Sequence, residues 1–182
     1  LGHKMSRFFF AVIEYLLGFL ALAFFAFLAF GSAPTNDDRL LFAFKAAAPL
    51  AAAEIAVLLR RGAPANRLIV GANLWLVAGG LAAFTEQWWW LKGYQQIGEA
   101  SLFVAMAVVG VLTTAMSAAG FVGVVGPRRN VVLASLGLLA AVGFAVLAAI
   151  HYRGDVKLAA VLPVIALSWI NRLLRRTVAH AA

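Results

Sequence analysis

Glu14, Lys45, Glu54 and Asn73 are polar side chains set inside long apolar runs of this chain. A charge or amide in hydrocarbon is costly unless a neighbour pairs it, so each is a candidate for binding a ligand or moving a proton. A second group clusters near the middle of the sequence: Glu86, Gln87, Trp88, Trp89, Trp90 and, four residues on, Tyr94. Indole and phenol rings settle where one edge is apolar and the other wet, so this stretch reads as the outer mouth of a membrane bundle. The same rings could wall a cation site, because an indole face attracts positive charge.

Counting along helices gives each group a depth. Glu14 is the seventh residue of a run that begins at Phe8, roughly 10 Å in at ~1.5 Å per residue. Glu54 precedes Arg60 by six positions and Asn73 follows Arg67 by six. Glu14, Glu54 and Asn73 therefore form an expected inner polar layer, and Lys45, Glu86 and Gln87 an outer one. Lys45 and Glu54 are about 180° apart on a straight helix at ~100° per residue. They share a pocket only if Pro49 kinks the helix between them. Glu14 shares its helix face with Gly18 and Ala21, whose small side chains let another helix come close and so turn Glu14 inward.

Structural roles compete with these. Lys45 is near enough to the outer boundary to snorkel to it. Glu54 can pair with Arg60 or Arg61, Glu14 can pair within the bundle, and Glu86 with the three tryptophans can serve as an interfacial anchor.

Several chemistries are set aside. There is no cysteine, hence no disulfide or thiolate ligand. Of the three histidines, His3, His151 and His180, only His151 borders an apolar run, so paired haem ligands are not expected. Neither a Gly-x-Ser-x-Gly elbow nor a His-Glu-x-x-His helix occurs. The carboxylates fall on different runs, which makes a poor magnesium site. The expectation is no enzyme, no metal and no cofactor.

The elements that must position these residues are membrane helices. The chain has 182 residues, 64% hydrophobic and only 12% charged, where a soluble domain has about 25%. Its net charge of +8 comes from basic residues in short clusters between apolar runs, the pattern of topology signals rather than of nucleic-acid binding. One transmembrane domain is expected over 1–182, with the four residues ahead of Met5 set aside as a remnant. Six spans are expected, at 8–30, 40–59, 68–90, 99–125, 130–150 and 157–171; a helix needs about 20 residues to cross. The first is too long for a signal-peptide core and reads as a retained span. The last is short and carries Pro163. In the fourth, Gly110, Thr114 and Ala118, and Ala115, Ala119 and Gly123, form small-residue ridges suited to close packing. A three-plus-three inverted repeat finds no echo at residue level.

With both termini in the cytoplasm, Lys4, Arg7, Arg60, Arg61, Arg67, Arg128, Arg129, Arg172, Arg175 and Arg176 lie inside, and Arg39, Lys92, Arg153 and Lys157 outside. That asymmetry obeys the positive-inside rule, and a five-span chain would put the basic tail on the wrong side. The expected fold is an all-α, polytopic six-helix bundle in a bacterial inner membrane. In size and span count it is similar to the substrate-binding subunits of energy-coupling-factor vitamin importers, without a substrate-site motif to extend the likeness. The expected function is transporter or channel-like, moving a small molecule, cation or proton by way of the intramembrane carboxylates. The alternative is a non-transporting subunit, as a homo-oligomer or with a membrane partner, whose buried acids are structural.

Overall fold

The computed structural model describes residues 18–31, 36–60 and 65–180. These are helical, without strands: α1 (Leu20–Phe30), α2 (Asp37–Arg60), α3 (Arg67–Phe84), α4 (Trp88–Ile97), α5 (Ala100–Met116), α6 (Arg128–His151) and α7 (Lys157–His180). Four of them, α2, α3, α6 and α7, are long and apolar enough to cross a membrane. The count is five if α4 and α5, which meet at a bend of 103°, make one span. Glu14 lies outside the described residues.

Local chemistry explains where the helices begin. Asn36 caps α2 by accepting from the Arg39 N–H at 2.8 Å, and Asp37 and Asp38 follow in the first turn, where the helix dipole favours negative charge. Asn66 caps α3 by accepting from the Leu68 N–H at 3.2 Å.

It also explains where they end. The run read as one span over 68–90 stops at Phe84. Glu86 adopts a left-handed φ of 56°, and the Gln87 N–H reaches back to the Ala82 carbonyl at 2.8 Å. This is a Schellman ending with glutamate where glycine is usual, at a cost of about 1–2 kcal/mol. Trp88 then starts a new helix. The run read as one helix over 99–125 ends at Met116 instead. Gly120 and Gly123 take φ of 57° and 67°, and a Cβ on Gly123 would sit 2.6 Å from the Ala65 carbonyl oxygen. Ala118, Ala119 and Gly123 thus belong to a turn, exposed at Ala118 and buried at Ala119 and Gly123, rather than to a helical ridge. The Ser135 hydroxyl accepts from the Phe121 and Val122 N–H groups in that turn, and Arg128 donates to the Ser117 and Thr114 carbonyls that close α5. The last helix runs to His180, past the expected end at 171 and through the basic residues beyond it. Its first turn, Lys157–Val161, is π-helical. The wider turn makes room for the Pro163 ring, which would otherwise press on the carbonyl four residues back.

The helices pack mainly in chain order, α1 on α2 and α3, α2 on α3, α3 on α5, α5 on α6 and α6 on α7. α2 and α3 approach closely where Gly79 and Gly80 face Phe44 and Ala48; a Cβ on either glycine would run into those side chains. At the centre lies an aromatic group. The Phe25 ring is 4.6 Å from that of Phe44 and 5.2 Å from that of Trp75, and Tyr94 lies 5.8 Å from Phe44 and 6.1 Å from Trp75. The Trp75 indole donates to the Ser101 hydroxyl at 3.0 Å, which ties α3 to the start of α5.

Candidate functional site

Two members of the expected inner layer do meet. Glu54 Oε2 accepts from Asn73 Nδ2 at 2.8 Å, and Oε1 accepts from the backbone N–H of Ala21 at 2.9 Å. Ala21 is in the first turn of α1, where helix N–H groups lack an intrahelical acceptor. The carboxylate therefore caps α1 and bonds α3 at once, joining three helices through charge-assisted hydrogen bonds. Asn73 is fully buried, and its Oδ1 has no partner among the described residues.

Lys45 is elsewhere. α2 continues through Pro49, and Lys45 and Glu54 stay on opposite sides of it. The ammonium reaches the C-terminal end of α3 and lies 5.7 Å from the centre of the Phe84 ring, within cation–π range. Glu86 is exposed at the α3–α4 turn. Gln87 accepts from the Trp89 indole at 2.9 Å and donates to the Thr85 carbonyl. Trp88 and Trp89 are exposed on α4, Trp90 is half-buried, and Tyr94 turns inward to the aromatic group.

Sequence reasoning missed a cleft between the first and last described helices. α1 and α7 make no extensive contact, and between them opens a cavity of about 480 Å³. Leu22 and Ala26 of α1 and Ala160, Val164 and Ser168 of α7 form its walls. Trp75 and Leu102 close it behind, and Tyr94 and Glu99 stand at one end. From Val156 to Trp169 it follows about 20 Å of chain at ~1.5 Å per residue, two-thirds of a ~30 Å hydrocarbon core. Its volume falls in the ~300–1,000 Å³ range of small-molecule pockets, and its lining is almost wholly apolar.

At the Glu99 end the cleft adjoins a second cavity of about 370 Å³, with Phe30, Tyr94, Glu99 and Val156 common to both. This one is more polar than the slot, lined also by Asn36, Asp37, Gln95 and Arg153. A third hollow of about 540 Å³ lies in the elbow of α3, α4 and α5 beside Trp89, Trp90 and Tyr94. It is apolar and lacks a charged residue in its lining. The described residues include no group of three or more His, Asp or Glu side chains placed to hold a metal.

Comparison of the chain with known protein families, with curated protein sequences and with solved structures found no match.

Proposed function

We propose that this is an integral membrane protein that binds a small apolar or amphipathic molecule in the cleft between α1 and α7. Six crossings with both ends in the cytoplasm suit the basic residues at the Arg60, Arg128 and Arg175 ends. In that orientation the Glu99 end of the cleft faces outward and α4, with its tryptophans, lies along the outer interface. The bacterial inner membrane is the setting proposed for it.

The observation that carries this reading is the cleft itself, an apolar slot of ligand size with a charged end. Passage of the molecule across the membrane is compatible with a slot that opens sideways to lipid, and makes this a transport protein in the broad sense. The reading departs from carboxylate-driven transport at Glu54. That carboxylate has its two oxygens taken up by Ala21 and Asn73, and it does not line the cleft. We assign it a structural role, as the alternative reading held for the buried acids.

Native mass spectrometry of the protein released from mild detergent tests the proposal. The expected result is a retained apolar or amphipathic molecule, lost when Ala26→Trp or Val164→Trp fills the slot. Equal retention by both variants and the parent would overturn it.

A further inference from the structure

The charged end of the cleft has a specific construction. Gln95 holds an anion and a cation at once: its side-chain amide donates to Asp37 Oδ1 at 3.0 Å, and its backbone carbonyl accepts from the Arg153 guanidinium. Gly98 takes a left-handed φ of 54° at the turn between α4 and α5, and the Arg153 side chain passes in contact range of it, with Nε 3.6 Å from where a Cβ would be. Glu99 faces the same cavity from the turn before α5, and its carboxylate does not fold back to cap that helix.

Opposite charges thus converge on a cavity of about 370 Å³ without forming ion pairs among the described residues. Two carboxylates and one guanidinium around one cavity, Asp37 and Arg153 bridged by Gln95, complement a ligand that carries a cation and an anion of its own. The neighbouring slot complements a chain of hydrocarbon. In the orientation proposed above, the charged end of the slot lies at the membrane surface and its apolar walls lie at the depth of the acyl chains.

We propose that the occupant is a zwitterionic phospholipid with a primary ammonium headgroup of the phosphoethanolamine type. Its phosphate meets Arg153, which can donate two parallel hydrogen bonds to phosphate oxygens. Its ammonium meets Asp37 and Glu99, and three N–H donors suit two carboxylates better than a quaternary ammonium, which has none. One acyl chain lies in the slot past Tyr94 and Trp75. This inference rests on the cleft's being a binding site and adds the identity of what it takes.

The test uses the full chain in nanodiscs made with equal parts of phosphatidylethanolamine, phosphatidylcholine and phosphatidylglycerol of identical acyl chains, followed by native mass spectrometry of the retained lipid. The expected result is roughly tenfold enrichment of phosphatidylethanolamine over each of the others, the size of one or two charge-assisted hydrogen bonds. The paired isosteric change Asp37→Asn with Glu99→Gln should abolish the enrichment while lipid is still retained, which separates headgroup selection from folding. Equal retention of the three lipids, or preference for the anionic one, would overturn the headgroup assignment and leave the cleft reading standing. Loss of all lipid from the parent protein would overturn both.

Discussion

Glu54 sits, half-buried, where three helices are joined. Its oxygens satisfy an amide of α3 and a first-turn N–H of α1. Replacing it with alanine strips both donors of their acceptor, each worth about 1–3 kcal/mol when buried, with values toward the low end in membranes. Glu54→Ala should therefore lower thermal stability in detergent clearly, and Glu54→Gln, which keeps one acceptor oxygen, by about half as much. Neither should change lipid retention in the cleft, and a scanning stability assay beside native mass spectrometry checks both halves. The meeting of Glu54 with Asn73 was legible in the sequence, because counting from Arg60 and Arg67 gives depth directly. The Ala21 partner was not, since it is a backbone group left without an intrahelical acceptor at the start of α1, and no residue type announces that. Lys45 was legible in a different way. Nine positions on an α-helix put it opposite Glu54, and α2 keeps that phase in spite of Pro49.

At the scale of elements, helix existence was plain and helix ends were not. Length and hydropathy mark a run as apolar, yet they are blind to the sign of φ. The 117–127 segment is as apolar as a helix but turns at Gly120 and Gly123, where the close approach of Ser135 and Ala65 leaves no room for a side chain. The split at Glu86 is harder still to foresee, because glutamate is an uncommon choice for a left-handed ending. Charge misled in the opposite direction at Arg172 and Arg175, which are compatible with a helix that continues beyond the apolar part. Close packing was foreseeable from small residues where the helix really persisted. Gly110 faces Leu139 and Phe121, with 2.7 Å and 2.8 Å left for a Cβ. Gly80 is tighter still against Ala48. Gly80→Val should separate α2 from α3 and destabilise the protein by about 1–3 kcal/mol or more through overpacking, read as a lower unfolding midpoint. Gly137 has open space around it, so Gly137→Ala at the same assay should be neutral or mildly stabilising.

For the whole molecule, the decisive feature is the pairing of distant ends of the chain. α1 and α7 are far apart in sequence and face each other across the slot. In a membrane both a lipid-facing and a partner-facing side are apolar, so the pattern that separates inside from outside in a soluble helix is missing. Leu22, Ala26, Val164 and Ile165 look in sequence like any lipid-exposed residues. The polar mouth was equally hidden. Asp37 opens α2, Gln95 lies in the last turn of α4, and Glu99 and Arg153 sit in the turns after α4 and α6; charges at helix ends ordinarily mark nothing beyond topology. Their convergence beside the slot is what turns an unremarkable groove into a candidate lipid site.

Lipid binding in the cleft is tested most directly by where an acyl chain lies against the protein. A phosphatidylethanolamine bearing a photoreactive diazirine on its acyl chain, incorporated with the full protein into a bilayer and irradiated, records that position as covalent adducts mapped by peptide mass spectrometry. The predicted result is adducts concentrated on the slot residues, Leu22 to Ala26 of α1 and Ala160 to Trp169 of α7, and reduced in Val164→Trp. Adducts distributed evenly over exposed outward residues such as Phe144 and Leu147 of α6, with the slot no richer than the rest and Val164→Trp without effect, would contradict it.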